Sequence, residues 1–77
     1  MTTEQDCLAV LAEELGPAAK AFMIRQCRSH LNKEPSQLQK FDLDEFAKWC
    51  YAGIQVALGA QIAENVKKGL LALKQKT

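Results

Sequence analysis

Hydrophobic side chains recur at every third or fourth position along most of the chain, which is the spacing of one face of an α-helix. The first such run follows Thr2 and Gln5, which match a helix capping box. It is interrupted at Gly16-Pro17, because proline cannot donate a backbone hydrogen bond and disfavours helical geometry in the residue before it. Since proline suits the first turn of a helix, the sequence predicts a first helix before this pair and a second from about Pro17 to Leu31, ended by Asn32.

A polar segment from Asn32 to Lys40 follows and is predicted to be a connecting loop. The third helix is predicted to begin at Asp42, which with Glu45 matches another capping box. Phe41 and Phe46 flank this box, where a hydrophobic contact between them would fix the angle at which the chain enters the helix. The carboxylates of this segment are therefore interpreted as helix-capping groups and not as a metal or acid–base cluster.

Beyond the third helix start, only Gly59 interrupts the helical pattern. The sequence leaves two alternatives open, a fourth helix from Ala60 to Lys74 or one long helix bent near Gly59. In either case we predict an all-α bundle of three or four helices that forms a single domain over residues 1–77. Its predicted core comprises Leu8, Leu11, Leu15, Phe22, Met23, Leu31, Phe46, Cys50, Ile54, Leu58, Ile62, Val66 and Leu70.

The composition agrees with a small all-helical domain. Alanine and leucine account for 21 of the 77 residues, whereas valine and isoleucine, which favour strands, contribute only three each. Hydrophobic residues make up 48% and charged residues 25% of the chain, as is typical of globular proteins. A domain of this length buries only about 60% of the surface that its unfolded chain exposes, so we expect marginal stability without a partner.

Three widely spaced cysteines are the main candidates for chemistry. With His30, the residues Cys7, Cys27 and Cys50 supply the ligand types of a zinc site, but they lack the short paired spacing that zinc sites use. Each lies on an apolar helix face, where free cysteine behaves as a small hydrophobic residue.

The chain also has no glycine-rich phosphate loop. We therefore expect a non-enzymatic protein without a catalytic residue, metal or cofactor. The cysteine pattern and the absence of a signal pattern favour the cytoplasm.

Charge is distributed unevenly, although the net charge is only +1. Residues 1–19 carry −4 and residues 20–40 carry +4. The basic second helix, with Lys20, Arg25 and Arg28, leaves open a DNA-binding helix-turn-helix regulator as an alternative function. This alternative is disfavoured because recognition helices contact bases through their first turns, which here consist mainly of alanine and phenylalanine. A net charge near zero also gives little affinity for phosphates.

The region from Trp49 to Ala63 has the broadest apolar surface and contains no charged residue. Its most apolar stretch, Trp49 to Ala60, has 12 residues, against about 20 in a membrane-spanning helix, so we expect no membrane partner. Burial of this surface between chains would stabilise so small a domain, which predicts a homodimer or another homo-oligomer. The predicted interface comprises Trp49, Tyr51, Ala52, Gln55, Val56, Gly59, Ala60 and Ala63.

The segment from Leu11 to Phe22, LAEELGPAAKAF, resembles the signature of a small helical module, in which leucine and alanine precede two variable residues and an IGPxA motif. Leu15 stands where that motif has isoleucine. The module occurs in bacterial, notably cyanobacterial, signalling proteins, often at the ends of kinases, receivers or sensors. The resemblance implies a regulatory or interaction role in signalling, with a protein as the partner.

A further alternative function, independent of this resemblance, is that of a carrier of a small apolar ligand, with a pocket between the first three helices.

Overall fold

A computed structural model describes residues 2–75 and places most of them in four α-helices. These are α1 (Thr3–Leu15), α2 (Ala19–Gln26), α3 (Leu43–Leu58) and α4 (Ala60–Ala72). Short 3-10 turns at Gly16–Ala18, Pro35–Gln37, Lys40–Asp42 and Leu73–Gln75 and one π-helical turn at Cys27–Leu31 complete the helical structure. Residues 2–75 contain no strand, which confirms the predicted all-α bundle.

Both ends of α1 follow the sequence prediction. The Thr2 hydroxyl oxygen accepts a hydrogen bond from the Gln5 backbone N–H, and the Thr2 N–H donates to the Gln5 side-chain oxygen, each at 3.1 Å. This reciprocal pair is the predicted capping box. At the other end, α1 stops at Leu15 and the 3-10 turn Gly16–Ala18 leads into the next helix, which confirms the predicted break.

The second helical segment is less regular than the single helix predicted from Pro17 to Leu31. Its α-helical part, α2, ends at Gln26 and widens into the π-helical turn Cys27–Leu31. Asn32 then takes the left-handed conformation, with φ 55° and ψ 43°, and so ends the segment where the sequence predicted. The N–H of the following residue, Lys33, donates back to the carbonyl of Cys27 at 3.2 Å.

The start of α3 differs from the prediction. Phe41 is 78% exposed while Phe46 is fully buried, so little of the Phe41 side chain is buried in the predicted contact with Phe46. Asp42 does not cap α3, because its own backbone is already helical, with φ −83° and ψ −13°, whereas a capping side chain needs an extended backbone. Its carboxylate instead accepts hydrogen bonds at 2.9 Å from the Gln39 N–H and from the Lys33 ammonium group.

The segment between α2 and α3 is anchored to the core and is more than a solvated connector. Leu38 is only 4% exposed, and Pro35 is also buried, at the start of the 3-10 turn Pro35–Gln37. Burial of these two side chains fixes the path of the segment across the end of the bundle.

Helices α3 and α4 form an antiparallel hairpin that reverses at Gly59. This glycine has φ 97° and ψ 165°, a conformation that side-chain-bearing residues rarely adopt. The Lys74 ammonium lies 2.7 Å from the Asp44 carboxylate, and the Lys67 ammonium lies 5.3 Å from the Tyr51 ring centroid. In each pair the two residues are equally far from Gly59 along the sequence, one before it and one after it, as antiparallel helices require. The fourth-helix alternative is therefore confirmed, and the single bent helix is wrong.

The core lies between this hairpin and the two N-terminal segments. Most predicted core residues are buried or packed against the buried cluster, but Leu58 is 47% exposed because it belongs to the last turn of α3, next to the chain reversal. The hydrophobic side chains that are buried within residues 2–75 are Cys7, Leu11, Ala19, Met23, Cys27, Leu38, Leu43, Phe46, Ala47, Cys50, Ile54, Ala63, Val66, Leu70 and Leu73.

Helices α1 and α4 approach closely at Gly69. A Cβ atom at Gly69 would lie 2.7 Å from Cγ1 of Val10, closer than nonbonded carbon atoms normally approach. At Gly53 in α3, by contrast, a Cβ atom would lie 3.4 Å from the Phe22 ring, which is an ordinary van der Waals contact. Packing therefore requires glycine at position 69 but not at position 53.

We expect Gly69→Ala to destabilise the protein by about 1 kcal/mol, because an overpacking cost of about 1–3 kcal/mol exceeds a helix-propensity gain of about 1 kcal/mol. Gly53→Ala is the matched control and should stabilise by up to about 1 kcal/mol. Urea unfolding followed by circular dichroism measures both changes. In a Val10→Ala background, Gly69→Ala should no longer destabilise. Equal effects at the two glycines would contradict the close packing of α1 on α4.

Candidate functional site

The clearest candidate interaction surface is the end of the α3–α4 hairpin at which the chain reverses. Residues 55–61, which we call the hairpin tip, are all exposed and include no charged residue. Val56 is 90% exposed and Leu58 47% exposed, although both are hydrophobic. The last turn of α3 thus presents an uncovered Val56 and a partly covered Leu58, and α4 begins with the exposed Ala60.

The predicted interface residues fall into three groups. Gln55, Val56, Gly59 and Ala60 lie in the hairpin tip, and Ala52 is exposed one turn earlier on α3. Trp49 and Tyr51 are half-buried. Ala63 is fully buried, because it lies on the inner face of α4 with Val66 and Leu70, so it is not available to a partner.

Trp49 has a stacking partner that sequence analysis did not identify. The imidazole of His30, in the π-helical turn Cys27–Leu31, lies parallel to the Trp49 ring, with centroids 4.0 Å apart and an angle of 5° between the planes. The Lys48 ammonium lies 5.3 Å from the Trp49 ring centroid, within cation–π range. Trp49 is therefore engaged within the chain and is a less available anchor than Val56.

Of the three basic residues considered for DNA recognition, Lys20 and Arg28 lie beside carboxylates, whereas Arg25 is simply exposed. Arg28 forms a two-pronged salt bridge with Glu34, with Nε and Nη2 each donating at 2.9 Å to a separate carboxylate oxygen. The hydrogen bonds that Arg28 donates to Glu34 lower the pKa of the Glu34 carboxyl group and raise the pKa of the Arg28 guanidinium group, so the pair stays charged. Lys20 lines a groove that Glu4 and Glu34 also line. The carboxylates beside Lys20 and Arg28 weaken the attraction of these two cations to phosphates.

That groove is the nearest counterpart of the pocket expected between the first three helices. It lies between α1, α2 and the segment that precedes α3, and has a volume of about 230 Å³. Leu8, Met23, Ile24 and Pro35 form its apolar wall. Its volume is below the roughly 300–1,000 Å³ of typical ligand sites, and charged side chains line its rim, which does not suit a purely apolar ligand.

The three cysteines are free and buried, and they lie close enough to affect one another's ionisation. Burial, with smaller effects from neighbouring acidic groups, raises the pKa of Cys7 from 9.0 to about 12 and that of Cys27 from 9.0 to about 11. Burial also raises the pKa of Cys50, and the neighbouring thiols Cys7 and Cys27 raise it further. Neutral thiols are poor nucleophiles and poor metal ligands. Within residues 2–75, no group of three or more His, Cys, Asp or Glu side chains is arranged to hold a metal ion.

Comparisons of the chain with protein-family models, with curated proteins and with solved structures find no significant match. No helix within residues 2–75 has both the length and the apolar character needed to span a membrane. Function is therefore inferred from the surfaces of this chain, of which the hairpin tip is the most distinctive.

The raised pKa values predict a loss of stability in alkaline solution. Unfolded thiols ionise near their ordinary pKa of 9.0, while folded Cys27 and Cys7 keep their protons up to about pH 11 and about pH 12. The stabilisation is therefore complete below pH 9.0 and decreases as the pH rises towards the folded-state values, by about 1.4 kcal/mol per pH unit for each thiol.

Urea unfolding under reducing conditions, from about pH 8 to about pH 10.5, measures this loss. Replacing one thiol, as in Cys7→Ala, should make the decline with pH shallower by about 1.4 kcal/mol per unit. Comparison with the unmodified protein removes the contribution of lysine and tyrosine titration. Parallel declines in the two proteins would show that Cys7 ionises equally in both states.

Proposed function

We propose that this protein is a non-catalytic protein–protein interaction module of cytoplasmic bacterial signalling, and that it associates with a second copy of itself through the hairpin tip. The observation that carries the proposal is the exposure of Val56 and Leu58 within a run of seven exposed, uncharged residues. The signalling context is supported by the resemblance of Leu11 to Phe22 to a module of bacterial signalling proteins.

A second copy suits the hairpin tip better than a charged partner. Residues 55–61 offer no charge that would complement an acidic or basic surface. An identical tip is also apolar, and in a two-fold arrangement each copy presents the same residues to the other. The small residues Ala57, Gly59 and Ala60 are exposed around the reversal, so they allow the backbones of two copies to approach closely.

The size of the tip sets the expected strength of association. Full burial of a valine or leucine side chain contributes about 1.5–3 kcal/mol, and each copy offers only two such side chains. This gain is comparable with the rotational and translational cost of association, about 4–15 kcal/mol. We therefore expect a weak, reversible dimer with a dissociation constant on the order of 0.1–1 mM, as for transient interfaces.

We expect Val56→Lys to weaken self-association by about tenfold or more, because it places a charge at the centre of the apolar contact. Ala9→Lys, on the exposed face of α1, is the matched control with the same added charge. Since Val56 is 90% exposed, the free energy of unfolding should change by no more than about 0.5 kcal/mol.

Sedimentation equilibrium from about 20 μM to about 2 mM measures the dissociation constants of the three proteins. Dimers of the unmodified protein and of Ala9→Lys, with monomeric Val56→Lys, would support the proposal. The proposal fails if the unmodified protein is monomeric throughout, or if Val56→Lys associates as strongly as Ala9→Lys.

A further inference from the structure

A second surface of the hairpin lies away from the tip, where the N-terminal half of α3 faces the C-terminal half of α4. A groove of about 280 Å³ runs between the two helices there, and we call it the hairpin groove. It is lined by Asp44, Ala47, Lys48, Tyr51, Lys67 and Leu71. Both helices contribute to it, so the antiparallel pairing itself builds the groove.

The base of the hairpin groove is apolar and its rim carries positive charge. Ala47, Leu71 and the half-buried ring of Tyr51 provide carbon surface, while Lys48 extends from α3 and Lys67 from α4. An apolar base with a few charged groups at the edge is the usual composition of a small-molecule site.

The two lysines of the hairpin groove have no carboxylate partner among residues 2–75. The Lys67 ammonium lies over the Tyr51 ring and the Lys48 ammonium over the Trp49 ring, each 5.3 Å from the ring centroid. The only carboxylate that lines the groove, that of Asp44, is paired with Lys74 at 2.7 Å. Two cations are therefore available to a ligand, and the groove's own acid is already engaged.

We infer that the hairpin groove binds a small organic anion, a carboxylate on a flat or branched apolar body. The carboxylate pairs with the Lys48 and Lys67 ammonium groups, and the apolar body packs against Tyr51 and Leu71. This inference is independent of the proposed self-association, because the groove shares no residue with the tip.

The charges favour a small anion over a polyanion. Nucleic acid would bring a row of phosphates past the Asp44 carboxylate and the exposed Glu45 beside it, which repel them. A single carboxylate in the groove meets only Asp44, whose charge is offset by its salt bridge with Lys74. The volume of about 280 Å³ also lies below the roughly 300–1,000 Å³ of typical ligand sites, so only a compact ligand fits.

Benzoate is a suitable probe, and its binding is measured by two-dimensional NMR of the ¹⁵N-labelled full chain. We expect saturable shifts centred on Ala47, Tyr51 and Leu71, with a dissociation constant on the order of 1 mM. Benzamide, which has the same shape without the charge, and inorganic phosphate, which has the charge without the apolar body, should each bind at least about fivefold more weakly.

Lys67→Gln should weaken benzoate binding about fivefold, because it removes one of the two cations. Lys68→Gln is the matched control, since Lys68 is exposed on the same helix and does not line the groove. Val56→Lys should leave benzoate binding unchanged, which separates this test from that of self-association. Unfolding curves of both glutamine variants establish that each is folded.

The inference fails if benzoate produces no saturable shifts, or if benzamide or phosphate binds as tightly as benzoate. It also fails if Lys67→Gln and Lys68→Gln have the same effect, because the anion would then be attracted by net charge and not by the groove.

Discussion

The antiparallel pairing of α3 and α4 is the contact on which the rest of the structure depends. It requires the chain to reverse at one residue, and Gly59 achieves this with a φ of 97° that a Cβ atom would make unfavourable. The two helices together supply eight of the fifteen buried hydrophobic residues in the described chain. Helices α1 and α2 have little core of their own, so their stability comes mainly from burying one face against this hairpin.

The tip is exposed because the N-terminal segments contact the hairpin on either side of it along the chain. On α3, Phe22 and Gln26 of α2 pack at Gly53, next to the last buried residue of that helix, Ile54. Helix α1, with 13 residues, meets α4 where Gly69 admits Val10, in the half of α4 away from the reversal. These contacts stop at Gly53 and Gly69 and leave residues 55–61 exposed. Apolar residues at that place are exposed to water in the monomer, and the proposed self-association would bury them.

Local features were predictable from the sequence because local interactions determine them. The Thr2–Gln5 capping box, the break at Gly16-Pro17 and the left-handed Asn32 depend only on residues a few positions apart.

The predicted start of the third helix, with Asp42 as its cap and Phe41 in contact with Phe46, was wrong. A 3-10 turn continuous with α3 gives the Asp42 backbone a helical conformation and turns its carboxylate towards Gln39. Helical periodicity placed Leu58 in the core, which is wrong, because periodicity carries no information on where the neighbouring segments stop covering the helix. The stacking of His30 on Trp49 and the pairing of the hairpin groove's walls join residues distant in the chain, which no local pattern encodes.

The two surfaces of the hairpin differ in what their binding does to the protein. An anion held between Lys48 of α3 and Lys67 of α4 bridges the two helices, so it stabilises their pairing and the folded state by mass action. A ligand alters affinity at a second site only if it binds two conformations of the protein unequally. The hairpin is packed through Phe46, Cys50 and Val66, all fully buried, and a close-packed interior does not deform gradually under a weak ligand. Under the two proposals, occupancy of the groove would therefore raise the stability of the monomer and leave the affinity of the proposed self-association unchanged.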